Sequence, residues 1–222
     1  MCIRKPPFPR LLLNNVSCMR NAQHVLRHVN VSLHNGSALV LTGANGSGKT
    51  TFLCMLAGFS RPSAGEILWN GHNIQDSGIF HQYKLKLNWL SLKDAITDRF
   101  TVLENVQWFE LLEGKYGKAL PALELAKEKP KMLSMGQRKR VQLAMLIVDR
   151  PIWLLDEPSV ALDDEGVKLL EYIISEHRKN GGIVIVATHL PIEIHDSMLL
   201  RLPPRFPRRM TFFDMLDRSY IM

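Results

Sequence analysis

The chain has 222 residues, 46% hydrophobic and 22% charged, and 28 Lys and Arg against 21 Asp and Glu leave a formal net charge of +7. This size and apolar content suit one globular α/β domain and exclude a disordered or fibrous chain, and no apolar run approaches the ~20 residues that a membrane-spanning helix needs. The three cysteines, Cys2, Cys18 and Cys54, are odd in number and have no CxxC spacing, so they point to a reducing compartment rather than to a disulfide framework or zinc site, while the basic balance leaves nucleic acid, an anionic membrane surface or a phosphorylated ligand open as partner.

No acid precedes Glu66, whereas Arg4, Lys5, Arg10, Arg20, Arg27, Lys49 and Arg61 all do, so the whole excess charge lies in that segment. An Arg-containing, acid-poor start is compatible with organelle import. Residues 11–69 already read as strands and turns, which leaves only a basic segment, 1–10, outside the main domain at 11–222. Strands are expected at 10–16 and 25–33, and ALVLT at 38–42 reads as a buried strand running into a glycine-rich turn. A helix follows at 49–57, EILWN at 66–70 reads as a strand, and LNWL at 87–90 as another. Apolar spacing predicts helices at 101–112 and 136–148, with a charged stretch holding Pro121 and Pro130 between them. IWLLD at 152–156 and IVIVAT at 183–188 are continuous apolar runs, the pattern of parallel strands covered on both faces, and a helix at 165–179 joins them. The alternation of apolar strands and helices makes the fold class α/β with a mostly parallel sheet.

Gly43-Ala44-Asn45-Gly46-Ser47-Gly48-Lys49-Thr50 fits GxxxxGK[ST] between a buried strand and a helix. Glycines let backbone N–H groups converge on phosphate oxygens, Lys49 brings a cation to the β and γ phosphates, and the Thr50 hydroxyl is a ligand for Mg²⁺; Thr51 completes the ATP-binding stretch. IWLLD places Asp156 at the carboxyl end of a central strand, where ligands of open α/β sheets bind. Asp156 is expected to hold Mg²⁺ directly or indirectly, with Glu157 polarising the attacking water. Adjacent carboxylates also occur in solvated loops, but a phosphate loop upstream selects the metal reading. His189 ends the strand IVIVAT, within reach of the γ phosphate if the two strands are neighbours.

Leu133-Ser134-Met135-Gly136-Gln137, the basic helix RKRVQLAM, LLDEP, SVALD at 159–163 and the pair Thr188-His189 together resemble the ATP-binding-cassette (ABC) ATPases from about residue 11 to 202. The resemblance implies that Ser134, Met135, Gly136 and Gln137 form the signature that contacts ATP held by a second copy, and that two chains form a homodimer on binding ATP. It places Asp163 in the loop linking the two sites, gives hydrolysis to Glu157 and His189, with Lys49, and implies a P-loop NTPase fold with an N-terminal antiparallel β region and a small helical subdomain at about 94–148. The segments at 11–36, 60–71, 80–91, 99–113 and 181–193 resemble more narrowly the ATP-binding subunits of cytochrome c maturation systems, and the tail at 200–218 the form of plant mitochondria. That likeness implies a peripheral subunit on the matrix side of the mitochondrial inner membrane, bound to membrane-embedded transporter subunits and acting indirectly on a heme chaperone, with ATP and Mg²⁺ as cofactors and no nucleic acid among its partners.

Five departures from the family pattern stand out. Met135 replaces the usual third-position glycine. Lys93 falls where a Mg²⁺-sensing glutamine is usual. Arg20, or its neighbour Met19, stands where an aromatic residue stacks on adenine, and a guanidinium plane can stack there as well as lie solvated. The stretch from 113 to 133 is short for the helical region, and Met145 stands where arginine is frequent. These departures leave room for a second class of function, a nucleotide-dependent assembly module with slow or absent hydrolysis. A DNA-associated ATPase is disfavoured by the absence of a coiled-coil insertion, and a GTPase by the absence of NKxD.

Overall fold

A computed structural model describes residues 9–20, 23–91, 95–112, 127–146 and 150–203. Two sheets carry it. The first is antiparallel, in the order β2 (Gln23–Leu33), β1 (Leu11–Arg20), β4 (Ala64–Trp69), β5 (His72–Asn73). The second is wholly parallel, in the order β6 (Leu87–Leu90), β7 (Ile152–Asp156), β8 (Ile183–Ala187), β3 (Ala38–Thr42), β9 (Ser197–Arg201). Five α-helices are described: α1 (Lys49–Leu56), α2 (Ser77–Lys84), α3 (Val102–Leu112), α4 (Met135–Leu146) and α5 (Asp164–Lys179).

The continuous apolar strands are explained by burial on both faces of the parallel sheet. Leu39, Leu41, Leu154, Ile183 and Ile185 join a core with Phe52, Leu53 and Leu56 of α1 and with Leu11, Leu13 and Ile67 of the antiparallel sheet. The alternate residues Ala38, Val40, Leu155, Val184 and Val186 face the other way, onto Leu143 and Leu146 of α4 and Leu170 and Ile174 of α5. A third, smaller core packs Val102 and Val106 of α3 against Val141 and Met145 of α4. Met145 thus fills an apolar site.

Most expected elements are present with shifted ends. β1 runs past its expected end at Val16 to Arg20, because Asn15 adopts φ 54° and the register with β2 and β4 shifts there. The bulge puts Val16, Ser17 and Cys18 in the interior consecutively, which destroys the alternation that marks a strand. β5, α2 and β9 have no counterpart among the elements expected from the sequence. β5 has two residues, α2 buries Tyr83 alone, and β9 is an edge strand with no buried residue, so none shows an apolar period. Pro130 opens a 3₁₀ turn, Pro130–Met132, where its fixed φ suits the first position. Lys93, Pro121, most of the stretch from 113 to 131, the end of the helix expected to reach residue 148, and residues 1–8 lie outside the described residues.

Candidate functional site

Three strand ends converge on one rim of the parallel sheet. β3 runs into the loop 43–48, β7 ends at Asp156, and β8, which lies between them, leads to His189. The loop holds its shape through glycine. Gly48 caps α1 at φ 111°, and a Cβ there would lie 2.5 Å from Val25 Cγ1, while one on Gly43, at φ 147°, would strike Ser47 Oγ and the Leu202 carbonyl. No side chain caps α1 and its first turn has no acid, so its leading N–H groups remain available to an anion. Ala44 and Ser47 close the loop by a backbone bond of 3.0 Å. Asn45 and Gly46 are exposed at its tip, and nothing lies within 4 Å of a Cβ built on Gly46. This is an open cradle lined by backbone.

Thr50 Oγ1 donates to Asp156 Oδ2 at 2.9 Å across 106 residues of chain, so two hard oxygen donors stand side by side, as Mg²⁺ coordination requires. The buried Lys49 donates from Nζ to the Gly43 carbonyl at 2.9 Å and lies 3.7 Å from Glu157 Oε1. Thr51 is buried beneath the loop. Burial pushes the Asp156 carboxyl above the usual aspartate value, with Glu157 adding to the rise and the Thr50 hydrogen bond, Lys49 and Lys139 opposing it.

Glu157 is held from both sides. Its backbone takes φ 48°, its N–H donates to the Ala187 carbonyl at 2.8 Å, and its Oε2 accepts from the His189 N–H at 3.1 Å and lies 2.8 Å from His189 Nδ1. A left-handed glutamate at a strand end stores strain, which the surrounding bonds hold in place. Carboxylate, imidazole and lysine therefore face one another where a terminal phosphate and its attacking water would meet.

Ser134, Met135, Gly136 and Gln137, the residues expected to form the signature, lie at the start of α4. Ser134 and Gln137 cap the helix reciprocally, with the Ser134 hydroxyl accepting from the Gln137 N–H at 3.2 Å and Gln137 Oε1 accepting from the Ser134 N–H at 2.8 Å. Ser134 is exposed, and among the described residues its hydroxyl hydrogen has no acceptor. Met135 points to solvent at 74% exposure, so it does not fill the turn. Gly136 does matter sterically: a Cβ there would lie 3.0 Å from the Ala161 carbonyl oxygen. Asp163 caps α5 by accepting from the Gly166 N–H at 2.9 Å, and it also binds Arg140, which holds its carboxyl below the usual range. Arg20, exposed, ends β1 opposite Gln23 and lies close enough to Cys54 of α1 to lower its thiol against the larger effect of burial.

The contacts of Arg140 and the burial of Lys139 are not legible in the sequence. Both lie in the basic helix RKRVQLAM, whose charge is visible, but only packing separates the buried lysine from its solvated neighbours.

Among the described residues no helix is long and apolar enough to cross a membrane. The family model described as ABC transporter matches residues 26–160. The chain is 78% identical to ABC transporter I family member 1 of Arabidopsis thaliana over the full length of both, and 37% identical to the cytochrome c biogenesis ATP-binding export protein CcmA of Escherichia coli O157:H7, covering 86% of this chain and 95% of that protein. A solved ABC transporter ATP-binding protein from Pyrococcus furiosus superposes with a TM-score of 0.74 at 30% identity, covering 86% of this chain and 96% of that one. Taken with the loop at 43–50 and the facing carboxylates, these likenesses establish that the chain belongs to the ATP-binding subunits of ABC transporters, an ATPase family.

Proposed function

We propose that this ATPase subunit works in cytochrome c maturation, hydrolysing MgATP to drive export or release of heme through a heme-chaperone complex. One observation carries the chemistry: Glu157 Oε2 lies 2.8 Å from His189 Nδ1, while Oε1 of the same carboxylate lies 3.7 Å from Lys49 Nζ, at the mouth of a glycine-rich loop. The carboxylate orients the attacking water, His189 fixes the carboxylate and is within reach of the γ phosphate, and Lys49 neutralises charge on the phosphoryl oxygens. Thr50 and Asp156 would hold Mg²⁺, which supplies further charge neutralisation at the phosphates. The likeness to CcmA over 95% of its length supports the cytochrome c reading. In that reading two chains close on ATP, each offering Ser134 to the other's nucleotide, and the pair sits on membrane-embedded subunits at the matrix side of the mitochondrial inner membrane.

The test is affinity purification of the tagged chain from mitochondrial membranes. Co-purification of cytochrome c maturation proteins is the expected result, and recovery of an unrelated permease overturns the reading of the substrate while leaving the ATPase intact. In the purified complex, Glu157→Gln is expected to lower turnover by about 100-fold or more while ATP still binds. Tight ATP binding with no turnover in the unaltered complex would favour an assembly module instead.

A further inference from the structure

Arg140 projects from α4 and one of its guanidinium nitrogens donates to both carboxylate oxygens of Asp163, at 2.8 and 2.7 Å. The same Asp163 caps α5 through Gly166, and two residues before it Ala161 adopts φ 67°, which brings its carbonyl against Gly136. The loop from Glu157 to Asp163 is therefore clasped to Ser134 and the start of α4, residues 134–140, at two points, one steric and one ionic. Its first residue is the carboxylate that His189 holds. The ion pair is exposed, 45% on Arg140 and 62% on Asp163, and pairs of that kind add little to stability. Its consequence is geometric.

We propose that Arg140 is a positioning residue for hydrolysis, tying the signature turn to the loop that begins at Glu157 so that Ser134 and the Glu157 carboxylate keep one relative placement. The proposal rests on the ATPase activity of the family and is independent of which substrate the complex moves. Asp163→Ser keeps a good helix cap yet is too short to reach Arg140, and Arg140→Gln removes the charge while keeping the aliphatic stem. In the complete complex each is expected to lower kcat about ten-fold with KM for ATP within about two-fold, and the double variant to lose no more than either single, as for two residues acting through one contact. Arg140→Lys, which keeps the charge, is expected to recover part of the loss. Hydrogen exchange on the full chain reads the clasp directly, with amides of residues 134–138 exchanging faster in Arg140→Gln. Unchanged exchange in that variant, an unchanged kcat, a rise in KM alone, or additive losses in the double variant would each overturn the proposal.

Discussion

Tyr83 is fully buried, and its phenol donates to the Leu56 carbonyl at 2.9 Å, at the end of the helix that begins with the phosphate loop. Burial raises its pKa strongly, so it stays a neutral donor. Tyr83→Phe leaves the Leu56 carbonyl without that partner and is expected to cost about 1–3 kcal/mol, read from the denaturant midpoint, with ATP affinity little changed. Cys54 shows a competition among neighbours: burial raises its thiol pKa, Arg20 lowers it and Asp156 raises it. A raised pKa means less thiolate at any given pH. At pH 8 Cys54 is therefore expected to alkylate more slowly than a cysteine in an unstructured peptide, its rate still climbing above the ordinary thiol value of about 8.5. Arg20→Gln removes the opposing cation and should slow it further, measured by mass spectrometry of the peptide that carries Cys54.

α4 separates two duties that one residue carries. Ser134 caps the helix through its hydroxyl oxygen, and its exposed hydroxyl keeps a hydrogen to donate to a ligand. Ser134→Ala is expected to cost about 1 kcal/mol of stability and to lower turnover, whereas Ser134→Asn, which caps equally well, should keep the stability and still lose the turnover. Equal stability loss in the two variants would show that the cap is not the stabilising contact. α1 is the opposite case, a helix whose start is left without a side-chain cap and whose interior face is packed by Phe52, Leu53 and Leu56. Its stability comes from tertiary burial, which leaves the N-terminal amides free for ligand.

At the scale of the whole molecule, the phosphate loop joins elements that are otherwise distant. Leu202 contacts it from the end of β9, Val25 from β2, and Asp156 from β7. A ligand there ties both sheets together, so ATP with Mg²⁺ is expected to raise the melting temperature, with a stabilisation of about 2.7 kcal/mol at a concentration 100 times the Kd. Lys49→Ala should abolish the shift while the ligand-free melting point moves little, and a persistent shift would place the nucleotide elsewhere.

The loop at 43–50, the strand that feeds it, the carboxylates at the end of β7 and the apolar strands β3, β7 and β8 can all be read from the order of residues alone. These were legible because their chemistry lies in contiguous residues and because strands buried on both faces are apolar throughout. What no contiguous pattern encodes is set by the assembled fold: β8 lies between β3 and β7, so that Thr50 meets Asp156 and His189 meets Glu157, and Arg140 meets Asp163. The fold also sets β9 and the end of β1. An exposed edge strand and a bulged one carry no period-two signal, so their places are set by partners elsewhere in the chain rather than by their own residues.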